Sequence, residues 1–135
     1  MHPSETIFNN LKAAINFKID SVKTVLMVDA KPKLDDMPLV ILAGGSEEIE
    51  PYHNQYLVKL SLTVKVYLAE DSTAQDLTTL HEIISSIDAE IKAMQGAMTI
   101  NENGQSPIER STGLEKTIFY IEKSYLFTYT RSRGL

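Results

Sequence analysis

Between Tyr56 and Leu68 every even position is apolar (Tyr56, Val58, Leu60, Leu62, Val64, Val66, Leu68), while Lys59, Ser61, Thr63 and Lys65 hold most of the odd ones. A period of two marks an extended strand with one buried face, because successive side chains point to opposite sides. At about 3.3 Å per residue the apolar stripe is about 40 Å long, more than a hairpin alone can cover. Something helical must lie across it. Leu57 and Tyr67 interrupt the polar odd face, which leaves that side able to meet solvent, another chain or a lumen.

Two segments have the helical period the long strand requires. Ser4 is placed to cap a helix in which Ile7, Phe8, Leu11, Ala14, Ile15 and Ile19 fall on one face, to about residue 20. Ser72, with Gln75 three residues on as in a capping box, starts a second helix whose stripe is Leu77, Leu80, Ile84, Ile87, Ile91 and Met94, and Gly96 ends it. Thr24–Val28 and Pro38–Ala43 read as short buried strands. Gly44-Gly45 closes the second of these, and Ser46–Pro51 is expected to be a mobile acidic loop. Met98–Asn101 reads as a brief strand followed by an Asn103-Gly104 turn. Lys116–Thr130, aromatic and β-branched, reads as a second long strand, with residues 131–135 as a short basic tail. The expected fold is α+β: a two-layer single domain over residues 1–135, with a mainly antiparallel β-sheet and two amphipathic helices packed on one face.

Composition narrows the function classes. A chain of 135 residues with 43% hydrophobic and 23% charged side chains suits one soluble core, and no apolar run approaches the roughly 20 residues of a membrane span. The opening residues lack the pattern of a secretory signal, so the chain is expected to stay where it is made. With no cysteine, disulfides, thiolate metal sites and cysteine nucleophiles are excluded. A net charge of −5 argues against tight, non-specific wrapping of nucleic acid.

In its opening helix, its long strand from Gln55 to Leu68, its single helix from Thr73 to Gln95 and its tyrosine-rich closing strand Tyr125–Thr130, the chain resembles the tail terminator proteins of long-tailed bacteriophages. The likeness is one of element order and size over nearly the whole chain, and phage neck and tail tube subunits share parts of it. The resemblance implies a virion structural protein, assembled in the host cytoplasm. It forms a homo-hexameric ring that ends the tail tube, meets the tube protein on one side and the head connector on the other, and lets DNA pass through the centre without sequence recognition. It implies no enzyme activity, no cofactor and no membrane contact. The negative net charge is consistent with a conduit, since a lumen of that sign repels phosphate.

Read for chemistry, the residues offer little. His2, His53 and His81 lack the spacing of a helical metal site, and His81 has no identifiable nucleophile to serve as a base. Gly44-Gly45 lacks the lysine and hydroxyl of a phosphate loop and precedes three glutamates, so a plain turn is expected. Glu47, Glu48 and Glu50 can be a metal cluster, a solvated loop or a contact with a neighbouring subunit. Arg131 and Arg133 can pair with them across a subunit boundary, or fray. Tyr125, Phe127 and Tyr129 fit core or subunit contact. The alternative to the ring is a stand-alone dimeric α+β binding module or another phage neck or tube subunit.

Overall fold

The computed structural model describes residues 3–27, 31–70, 76–94, 96, 98–111 and 117–132. The alternating stretch forms β3 (Gln55–Ala69), at the centre of a mixed six-stranded sheet. On one side lies β2 (Leu39–Tyr52), antiparallel to β3 and followed by the short parallel strand β1 (Thr24–Leu26). On the other lies β6 (Ile118–Ser132), antiparallel to β3 over its whole length and edged by β4 (Thr99–Gln105) and β5 (Glu109–Ser111). Two helices, α1 (Pro3–Lys18) and α2 (Asp76–Ala93), complete an α+β fold. The Ser72–Gln75 capping box and the residues after Ser132 lie outside the described residues. Because α1 already includes Pro3, the Ser4 position falls inside its first turn and not before it.

Register explains why the helices are needed. Val58, Leu60, Leu62, Val64 and Val66 are fully buried, and each is matched across the ladder by an inward residue of β6. Leu60 faces Phe127, Leu62 faces Tyr125 and Val66 faces Ile121. Val40 and Leu42 of β2 extend the same face. Leu11 and Ile15 of α1 and Leu80, Ile87 and Ile91 of α2 belong to this same buried cluster, whereas Leu77, expected on the α2 stripe, is exposed. Full burial of each such aliphatic side chain contributes about 1.5–3 kcal/mol, which makes this cluster the main source of stability.

The other side of the sheet is not uniformly open. At the end where β2 begins, Leu39, Ile41, Met37 and Ile118 form a second, smaller cluster, with Leu34 of a single 3₁₀ turn (Leu34–Asp36) and Tyr67 packed against it. Lys23 donates its backbone N–H to Pro38 O at 2.9 Å and its side chain to Asp35 O, which ties this turn to β1. Tyr67 and Tyr120 stack here, centroids 5.5 Å apart. Beyond this end the outer face is half-exposed and rich in hydroxyls, with Thr63 and Ser124 Oγ atoms 3.4 Å apart.

Three expectations are corrected. The segment Ser46–Pro51 is not a loop, because β2 continues through Gly44-Gly45 to Tyr52. Gly44 pairs with Leu62 and Glu47 with Leu60, so two residues of β2 bulge opposite Ser61 and pairing then resumes. Both glycines have positive φ (105° and 87°), the conformation such a bulge demands, and a Cβ on Gly44 would lie 2.9 Å from Ser61 O. Asn103-Gly104 is likewise a bulge inside β4 and not a turn, with Gly104 at φ 114°. Finally, Arg131 is no part of a tail: it lies in β6 opposite Tyr56. Ordinary ladder pairing at the sheet's end wins over a polar sequence in all three cases.

Candidate functional site

The bulge decides where the three glutamates go. Before it, even residues of β2 face the helices; the extra residue reverses the alternation, so Glu47 and Ile49 share the inward face while Glu48 and Glu50 point outward. The acidic run is therefore not one cluster. Glu48 lies opposite Lys59 and Glu50 opposite Leu57, and a shallow depression of ≈ 200 Å³ opens among Glu48, Ile49, Glu50 and Lys59. Glu47, on the other side, lies near enough to Tyr129 for its charge to oppose ionisation of the phenol.

Arg131 joins Glu47, not its outward neighbours. It sits on the inward face with its guanidinium 5.7 Å from the Tyr56 ring centroid. Tyr129 lies between these charges. Burial chiefly, then Glu47, pushes its pKa up, against a smaller opposing effect of Arg131. The Tyr129 hydroxyl is buried without a hydrogen-bond partner among the described residues. Within one chain, then, Glu47 and Arg131 flank the same residue. Arg133 lies outside the described residues, as does His2. His53 is the first residue of the two-residue turn joining β2 to β3, and His81 is exposed on α2.

A denser polar group was not anticipated. Lys123 interrupts the inward stripe of β6 and is 9% exposed. Its Nζ donates to Asp88 Oδ1 of α2 at 2.9 Å and to Glu102 Oε1 of β4 at 3.0 Å. The Tyr125 hydroxyl donates to the same Asp88 oxygen at 2.7 Å, and Lys92 reaches Asp88 Oδ2 at 2.8 Å and Glu102 at 3.0 Å. Burial alone would raise the Asp88 pKa, but the hydrogen bonds from Lys92, Tyr125 and Lys123 outweigh it and hold the carboxyl well below the usual range. For Lys123 burial works against the charge and the two carboxylates overcome it, so the ammonium is held more firmly than in water. Burial and the Asp88 contact push the Tyr125 phenol far up.

A general acid or base works best with a pKa near the working pH, and here each group is driven away from neutrality. The arrangement is a clamp joining α2, β4 and β6. The sequence signal for it was Lys123 itself, a lone cation at an inward position of an apolar strand, which requires a buried anion. Among the described residues no group of three His, Asp or Glu is placed to hold a metal ion, and no helix is long and apolar enough to cross a membrane. No protein-family model matches the chain, and no curated protein matches it.

Proposed function

We propose that this chain is a structural subunit of the phage tail terminator type. Six copies would form a ring that ends a tail tube and meets a head connector, with DNA passing through the centre. The observation that carries this reading is the division of labour between the two faces of the long sheet. The inward residues of the sheet belong to the buried cluster to which both helices contribute, while the outer face of β3 and β6 from Leu57 to Lys65 and Glu122 to Thr130 is half-exposed and mostly hydroxyl or charged. A face of that kind suits contact with neighbours and a wet channel better than it suits substrate binding, which favours concave apolar pockets. The clamp at Asp88 and Lys123 supports a structural role, since it rigidifies and carries no group poised for chemistry at neutral pH. Side chains such as Phe17, 84% exposed on α1, and Tyr52 at the hairpin end supply further apolar surface for assembly.

Light scattering across a concentration series, followed by electron microscopy of the heaviest species, tests the proposal. A closed ring near six times 15.1 kDa is expected, alone or on addition of tail tube protein. A dimer under all conditions would instead favour a stand-alone binding module.

A further inference from the structure

Asn103 is the only asparagine of the chain that is followed by glycine. Its place in β4 is a bulge: Glu102 pairs with Tyr125 and Gln105 with Lys123, so Asn103 and Gly104 together face the single residue Ser124. Two residues opposite one cannot both keep ladder geometry, and the strand is loosened there. Gly104 sits at φ 114°, and a Cβ built on it meets none of the described residues within 4 Å. Asn103, Gly104 and Gln105 are all exposed. The asparagine side chain therefore has room to swing onto the next main-chain nitrogen, and the residue that carries this nitrogen has no Cβ to obstruct it.

We propose that Asn103 is a self-modification site, converted through a cyclic imide to aspartate and isoaspartate while the protein stays folded. The Gly104 nitrogen loses its proton to solvent base and attacks Asn103 Cγ. The Cγ–Nδ2 bond breaks, and the nitrogen leaves as ammonia with a proton taken from water. Water then opens the imide at either carbonyl. Opening at Cγ restores the ordinary main chain with an aspartate; opening at the main-chain carbonyl routes the chain through Cβ as isoaspartate. One water is consumed, one ammonia is released, and nothing is oxidised or reduced. The other asparagines are worse placed: Asn9, Asn10 and Asn16 lie in α1, whose geometry is fixed by its hydrogen bonds, and Asn54 and Asn101 precede the larger side chains of Gln55 and Glu102. Either product adds a carboxylate to the edge strand next to Glu102. Isoaspartate also lengthens the main chain by a methylene, which the bulge can absorb because the pairs at Glu102 and Gln105 lie on either side of it. The site does not depend on the ring proposal, which a sizing experiment tests separately.

The test is a time course of the full-length protein in mildly alkaline buffer, well below its unfolding temperature, beside a synthetic peptide of residues 99–108 as the unstructured reference. Released ammonia is assayed, and peptide mapping by mass spectrometry with fragmentation that separates aspartate from isoaspartate locates the change. Conversion is expected at Asn103 before any other asparagine, to both products. Its rate in the folded chain is expected to lie within about a factor of ten of the peptide's, or about 1.4 kcal/mol in barrier. Asn103→Gln, whose longer side chain closes its imide far more slowly, is expected to remove this first release of ammonia; should the variant misfold, the map of the unaltered protein decides. Conversion first at another asparagine, a folded-state rate slower than the peptide's by more than that factor, or undiminished ammonia from folded Asn103→Gln would each overturn the proposal.

Discussion

Lys123 Nζ lies 2.9 Å from Asp88 Oδ1, so the lysine that breaks the apolar stripe of β6 is held by a carboxylate hanging from α2. Removing one side of a buried pair strands the other. Asp88→Ala is expected to destabilise the fold by about 2–3 kcal/mol, somewhat below the usual range for buried pairs because Glu102 still reaches Lys123. Lys123→Met fits the stripe and leaves Asp88 paired with Lys92 and the Tyr125 hydroxyl, so it should cost less than Asp88→Ala. Urea unfolding of both variants checks the ordering.

The same clamp sets the pH window. Asp88 and Glu102 both titrate below their ordinary values of 3.8 and 4.5, so their contribution is complete above those values and is lost as pH falls. Lys123 and Lys92 are raised above 10.5, so theirs is complete below that value and is lost as pH rises. Stability is expected to be flat between about pH 5 and pH 9 and to fall on both sides. Asp88→Asn should lower the melting temperature throughout and flatten its acid limb. Calorimetry between about pH 3 and pH 6 reads this out directly.

The Gly44 bulge separates two effects that are often confused. Gly44 and Gly104 both hold positive φ, 105° and 114°, so alanine is strained at either. At Gly44 the new Cβ also meets Ser61 O at 2.9 Å, whereas at Gly104 none of the described residues lies within 4 Å. Gly104→Ala should cost about 1 kcal/mol and Gly44→Ala about 3 kcal/mol or more. Chemical denaturation of the pair isolates the collision from the backbone strain.

His53 opens the β2–β3 turn at φ 55°, a conformation glycine adopts without penalty. His53→Gly is therefore expected to stabilise the hairpin by about 0.5–1 kcal/mol, offset in part by the freer unfolded chain. A rise in the urea midpoint with unchanged slope is the expected result.

What the sequence made legible follows from periodicity. The alternation at Tyr56–Leu68 and the spacing of Leu11, Ile15, Leu80 and Ile87 each report a buried face, and burial of those residues made β3, α1 and α2 readable. Ser46–Pro51 was misread because glutamate and proline say little about a strand at the sheet's edge, where both are tolerated. The sorting of Glu47 from Glu48 and Glu50 was not legible at all, since it depends on a bulge that only tertiary pairing reveals. Lys123 carried a signal, a cation at an inward position, but its partners Asp88 and Glu102 are distant in sequence and nothing local connects them.

Arg131 and Glu47 allow pairing across subunits to be distinguished from pairing within one. Both act on Tyr129, Glu47 raising its pKa and Arg131 lowering it, beneath the larger effect of burial. Within a single chain, Glu47→Gln should lower the Tyr129 pKa and Arg131→Glu should raise it, by the same amount at every protein concentration. Arg131→Glu should also lose about 0.5–1 kcal/mol through its contact with Tyr56. Were the neighbour's charges responsible, the shifts would vanish on dilution to monomer. Ultraviolet titration of the phenolate at two concentrations, with the other tyrosines removed singly to assign the step, measures this. A concentration-independent shift would move the search for subunit contacts from Arg131 to the outward residues Glu48 and Glu50 and the exposed Phe17.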